Sequence, residues 1–468
     1  MKSSLKVLFG SVAIPLSLVA LASCGQATDA GDASQDVASV DAAIVTTPVI
    51  EPWGYPMDAF DQATKPGDDF FQFANGGWLN DTEIPSDRSG TGFSIVMQER
   101  NEARIAEIIE DLSGAEVEPG SNGQKIRDLY NDFMDVDAIN AKGIEPILAD
   151  AARIQAANSH EDIIRLMADP SLGLGGPIAI YVTIDSKQPD SYVMGATHSG
   201  LGMPDRSYYL RDSERLADAR DAYKRHLVRM LDLLGEADSA PRAEAIFALE
   251  TAIAEQHWTR ADRRNADRTY NRMTIDELSA FAPGVAWTAA FDGLGLPTEG
   301  DVVVREKEAF PALAAVFADT PVEVWRDYLL VRLVSNNAAS LSDDIYMANF
   351  EFYGRDLRGQ EEPRDRDKRG ISLVNGRLDQ AVGREYIDRY FPEESKIQMT
   401  EMFENIRTAL SIRIDNLEWM TDETKVRAQE KLAAMTAKIA YPEVWTDYSE
   451  LDVVPGDLMG NIRRHRVW

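Results

Sequence analysis

Nine stretches of this chain carry apolar residues at every third or fourth position, and only one long stretch breaks that rhythm. The periodic segments are 99–112, 124–134, 138–157, 161–167, 215–234, 242–260, 322–335, 340–353 and 401–438. A stripe of that period is the mark of a helix packed against a core. The last segment also has start chemistry: Thr421 leads into Asp422 and Glu423, and Lys425, Lys431 and Lys438 follow. Acid comes early and base late, as the helix dipole favours. Residues 177–185 (PIAIYVTID) and 191–197 (SYVMGAT) are instead β-branched and aromatic, joined by 186–190, and predict a hairpin. A short run, 301–305 (DVVVR), predicts a strand or an extended connector. The chain therefore reads as mainly α with a small β-hairpin element, and the pattern alone does not mark where one lobe ends.

Length allows two or three domains, since 468 residues can enclose more than one core. The net charge of −30 repels nucleic acid and anionic lipid headgroups, so no nucleic-acid partner is expected. It also favours solubility, the plainer use of such a surface.

Cys24 is the single cysteine, which excludes an intrachain disulfide. Lys2 and Lys6 precede an apolar run over 7–20, and Leu21, Ala22 and Ser23 lead into Cys24. This is the anatomy of a secretory leader, too short and wrongly flanked for a lasting transmembrane helix. A cysteine at the cleavage point resembles the bacterial lipobox, where the thiol is acylated and becomes the mature N-terminus. The other reading is a plain leader with an incidental cysteine. On the lipobox reading, 1–23 is the signal peptide and Cys24 the lipid attachment residue. Gly25 in place of aspartate then points to the outer membrane of a bacterial envelope, with the body facing the periplasm. Residues 25–50 hold no lysine, arginine or aromatic residue, so 24–50 is expected to be a flexible tether.

The body opens near Trp53 and holds a series of distinctive strings. GLGMPDRSYYL, residues 200–210, places glycines, a proline and an Asp-Arg pair before two tyrosines, which is turn chemistry. DDFFQFANGGW (68–78) ends an aromatic run on an Asn-Gly turn signal. Glu99 and Asn101, HWTR (257–260) and YNRM (270–273) follow, then FEFYG (350–354), Arg364 with Arg369, and VGREY (382–386). Trp419, Met420, Thr424 and Lys425, with Ala428, Lys431, Leu432 and IAYP (439–442), close the series. Each string is weak alone, but together and in this order they resemble the neprilysin-like (M13) zinc metallopeptidases over about residues 53–448. Ser207 stands where that family often has a second aspartate, and Ala440 where it usually has glycine.

The resemblance implies two largely helical lobes around a cavity that admits peptides and small proteins. It also implies zinc, held by two histidines of HExxH and a glutamate of a following ExxxD helix, with an Asn-Ala-aromatic strand holding substrate. Neither HExxH, nor an ExxxD helix following it, nor the Asn-Ala-aromatic string occurs in the 468 residues, so no catalytic and no metal-binding residue is assigned. His160 begins HEDII, but Ile164 occupies the second ligand position, and a single imidazole cannot hold zinc. His160 is expected near a helix start at the surface. His226 is expected on a solvated basic face with Lys224, Arg225 and Arg229. His198 and His465 begin no motif. His257 and Arg260, three apart in an expected helix, read as a buried structural pair, and Arg206 with Asp205 as a turn-stabilising network. In some family members an arginine after the opening motif binds the substrate's terminal carboxylate. The matching position here is near Gly90, with Arg88 close by, and that role does not carry over.

Residues 460–468 read as the start of an amphipathic helix with nothing to close it, and apolar surface left for a missing lobe is expected. The expected organisation is 51–448 as an M13 cap and scaffold region and 449–468 as the start of an incomplete catalytic lobe. The expected function is the N-terminal part of a membrane-tethered zinc endopeptidase, with peptide substrates when completed and no zinc site of its own. The alternatives are a non-catalytic lipoprotein that binds peptides or aids assembly, and a fragment without a stable fold.

Overall fold

Helix Val322–Asn337 is buried on nearly every side, and the fold is built around it. Trp325, Tyr328, Leu329, Leu330, Leu333 and Val334 on this helix are all buried. Such a helix must sit in the middle of a core, where each large side chain contributes about 1.5–3 kcal/mol. Helices Glu145–Ala156, His160–Ala168, Glu214–Leu233 and Ser239–Gln256 pack around it. The computed structural model describes residues 57–468, which form one compact unit. The leader 1–23, Cys24 and the 24–50 tether lie outside the described residues. The mainly helical architecture matches the expectation, and no described helix is long and apolar enough to cross a membrane.

The expected hairpin is strands β1 (Ile178–Asp185) and β2 (Gln188–His198), paired antiparallel. Its turn is tighter than the 186–190 connector read from sequence, because the Asp185 carboxylate accepts from the Lys187 and Gln188 amides at 2.8 and 3.3 Å. The hairpin belongs to a four-stranded sheet ordered β1-β2-β4-β3, completed by β3 (Asn271–Thr274) and β4 (Asp301–Val304). β4 runs parallel to β2 and antiparallel to β3. The DVVVR run is thus a strand, with Val302 and Val304 buried beneath Trp287, Phe291 and Phe310 and Val303 on the opposite face.

Two long helical expectations are interrupted. The 242–260 helix ends at Gln256, and the 401–438 helix is two, Glu393–Asp415 and Asp422–Ala433. Thr421 caps the second of these, accepting from the Thr424 amide at 3.3 Å. The Asn-Gly string near the start is no turn: it lies inside helix Phe70–Asp81, capped by Asp69. A Cβ on Gly77 would lie 2.3 Å from the Asp58 carbonyl oxygen, so the glycine admits close backbone approach within a helix. At the far end, helix Leu458–Val467 starts on Asp457, and Leu451, Leu458, Met459 and Ile462 enter the main core.

Candidate functional site

The GLGMPDRSYYL segment folds back over a buried carboxylate. Glu250, on helix Ser239–Gln256, accepts from the hydroxyls of Tyr209 at 2.6 Å and Tyr223 at 3.0 Å and from the Gly202 amide at 3.3 Å. The Tyr328 and Tyr353 hydroxyls donate to the carbonyls of Gly200 and Gly202 at 2.9 and 3.2 Å. Gly202 is obligatory at this contact, since a Cβ there would lie 1.8 Å from the Tyr223 hydroxyl oxygen. Burial pushes the Glu250 carboxyl up, and Arg332 and the tyrosine donors pull the other way. Sequence reasoning missed Glu250, although a glutamate in line with Ile246, Leu249 and Ile253 on one helix face is a recognisable signal.

Fastened in this way, the segment forms one wall of a cleft of about 580 Å³. The opposite wall is HWTR, which is extended because its backbone leaves the helix at His257. His257 Nε2 donates to the Ser199 carbonyl at 3.0 Å, and the Trp258 amide donates to His198 Nε2 at 3.2 Å. The two imidazoles stack with centroids 3.8 Å apart. Both Nε2 atoms are therefore committed to the protein. Burial lowers His198 to about 4 and His257 to about 3, against an ordinary 6.5, so both rings are neutral. The end of β2 delivers Thr197 and His198, and Glu306 follows β4 closely. Glu306, fully buried, accepts from Thr197 Oγ1 at 2.7 Å and pairs with Arg263 at 2.9 Å.

This arrangement replaces three expectations. His257 and Arg260 are not a buried helical pair: both line the cleft, and the Arg260 side chain is 72% exposed. Asp205 pairs with Arg260 at 2.7 Å and accepts from the Ser207 amide at 2.7 Å, while Arg206 Nε donates to the Ala254 carbonyl at 3.3 Å. His226 is not solvated, because its side of the helix faces inward: it is buried against Tyr223 and Phe352, within reach of Ser335 Oγ at 3.1 Å. Burial lowers it to about 4. His160 does begin a helix, half-buried, with Nε2 2.8 Å from the Thr320 carbonyl oxygen and its ring edge-on to Phe317. Arg88 lies in an acidic setting, 3.3 Å from Glu99 and 3.9 Å from Glu102, and Arg364 shares Glu102 at 2.7 Å.

The donor set for zinc does not fit the residues present. Among the described residues no three histidines, cysteines or carboxylates converge to hold a metal ion. Ile164, at the would-be second ligand position, is buried in the core.

A second surface stands apart from the cleft. Of the 23 residues in helix Glu393–Asp415, only Ile414 is buried. Met399, Met402, Ile406 and Leu410 form an exposed stripe at helical spacing, and Trp419, Val426 and Met435 of the adjoining segment are exposed as well. An exposed apolar stripe of this kind is a candidate interaction face.

Residues 66–442 match the sequence profile of peptidase family M13. The chain is 27% identical over 416 residues to human endothelin-converting enzyme 1, covering 86% of this chain and 53% of that protein. It is 26% identical over 401 residues to rat endothelin-converting enzyme-like 1, covering 82% of this chain and 51% of the relative. The chain thus spans about half the length of these relatives. Among solved structures, the Mycobacterium tuberculosis zinc metalloprotease Zmp1 in complex with an inhibitor superposes with a TM-score of 0.83 at 35% identity. That match covers 88% of this chain and 63% of the Zmp1 chain. PepO of Lactobacillus rhamnosis shares the fold at a TM-score of 0.75 and 20% identity. With the ordered strings, the helical fold and the profile match in agreement over most of its length, the chain belongs to peptidase family M13.

Proposed function

We propose that this chain is the cap and scaffold part of a membrane-tethered zinc endopeptidase acting on peptides, and that the zinc-bearing segment lies in polypeptide outside these 468 residues. The exposed apolar face of the 393–435 helical pair carries this reading. Met399, Met402, Ile406 and Leu410 need a partner to remove them from water, and at about 25 cal/mol per Å² such a stripe supports a firm interface. Kinship with a zinc metalloprotease, and the absence of HExxH from the sequence, support it further. Within this proposal, Cys24 is the lipid attachment residue, residues 24–50 lift the body from a bacterial outer membrane, and 449–468 begins the catalytic lobe. The test is to read the coding DNA past codon 468. An open frame running into Asn-Ala-aromatic, HExxH and ExxxD is the expected result, and an in-frame stop with an intact mass ending at Trp468 overturns it. Cys24→Ala is expected to release the protein from the membrane fraction.

The second reading is a non-catalytic peptide-binding lipoprotein. One observation favours it: the cleft between 198–211 and 257–263 is built entirely of residues in this chain.

A further inference from the structure

The cleft is cationic on a strongly acidic molecule. Its lining holds Arg206, Arg211, Arg260 and Arg263 against the single carboxylate of Asp205. Two of those charges are already neutralised. Asp205 takes Arg260, and Glu306, just behind the wall, takes Arg263. Among the described residues neither Arg206 nor Arg211 forms an ion pair at contact distance, although Arg206 is near enough to Asp205 to help hold its carboxyl low. The half-buried Arg206 is held at one atom only, Nε, by the Ala254 carbonyl. Both of its terminal amines remain without a hydrogen-bond acceptor. Arg211 is exposed beside it, with its backbone carbonyl gripped by Arg220 at 3.0 Å. The imidazole wall adds no charge, since burial keeps both rings neutral. Guanidinium donors left unpaired in a cleft call for an oxygen anion, and the guanidinium fork matches a planar carboxylate.

We propose that this cleft recognises a carboxylate of a peptide, through the terminal amines of Arg206 and the guanidinium of Arg211. The carboxylate chemistry comes from the cleft alone, whereas the choice of a peptide as its bearer rests on the peptidase reading. The carboxylate comes from a peptide C-terminus or from an acidic side chain.

Fluorescence anisotropy on the full chain separates these sources. The probes are a fluorescein-labelled hexapeptide ending in glutamate, its C-terminal amide, and both forms with glutamine in place of the glutamate. The first is expected to bind, more weakly as salt is raised. Loss of binding on amidation assigns the C-terminal carboxylate, and loss on the glutamine exchange assigns the side chain. Arg206→Gln with Arg211→Gln is expected to weaken binding about tenfold or more. Arg211→Gln alone, at an exposed position, is expected to weaken it severalfold with the melting temperature unchanged. The proposal is overturned if the uncharged peptide binds as well as the charged one, if the arginine variants bind like the parent, or if inorganic phosphate binds there and no peptide does. These outcomes leave the scaffold reading standing. Peptide hydrolysis by the chain alone, which would end that reading, leaves the anisotropy result untouched.

Discussion

Ala440 sits at φ +62°, in the left-handed region where a Cβ costs about 1–2 kcal/mol. The resemblance had placed a glycine there, and the backbone supplies the reason. Ala440→Gly is expected to stabilise the chain by about 0.5–1 kcal/mol in urea unfolding, the relief of strain exceeding the added freedom of the unfolded chain. The reverse holds at Gly202, where Gly202→Ala drives a methyl into the Tyr223 hydroxyl and is expected to cost about 3 kcal/mol or more. The buried histidines set a pH dependence. His198 and His226 are lowered to about 4 and His257 to about 3, so from pH 6.5 down to those values the unfolded chain binds more protons. Stability therefore rises with pH through that window and is lost on acidification. Melting temperatures are expected to fall between pH 7 and pH 5, roughly one unfolded-state histidine titration, and less steeply in His226→Leu. At this scale sequence reading was least reliable. Lys224, Arg225 and Arg229 suggested that their neighbour His226 is solvated, yet one residue's rotation on a helix separates the wet face from the buried one.

Elements were more legible where periodicity is strong and less so where tertiary contacts override it. The hairpin and β4 stand out in the sequence because β-branched runs have few other uses. β3 does not, since NRMT is ordinary until β4 lies beside it. HWTR continues a helical pattern on paper, and only the bonds from His257 to Ser199 and from Trp258 to His198 draw it out straight. The long helix Glu393–Asp415 keeps its apolar residues in water, which a hydrophobic pattern cannot distinguish from burial. Ile406 is 59% exposed, so Ile406→Glu is expected to change stability by no more than about 0.5 kcal/mol. It is also expected to reduce dye binding by exposed apolar surface and any self-association of the chain. A large loss of stability on that substitution would mean that the stripe is already covered.

On the scale of the whole molecule, the proposals give the M13 helical fold two tasks, to shape a recognition cleft and to offer an apolar face for a partner segment. The fold and family could be read from ordered strings, two of which mark contacts that tolerate little change: Gly77 against the Asp58 carbonyl, and Tyr209 on the buried Glu250. The cleft could not, because its walls, 198–211 and 257–263, are distant in sequence and come together through tertiary contacts: the stacked histidines, their bonds to the opposite backbone and the Asp205–Arg260 pair. The most direct measurement is made on the purified 468-residue chain: zinc per mole, and hydrolysis of a quenched fluorescent peptide with and without chelator. The account predicts no stoichiometric zinc and no chelator-sensitive cleavage, since the donors of a zinc site are not in the sequence. Retained zinc with robust chelator-sensitive cleavage by this chain alone would contradict it.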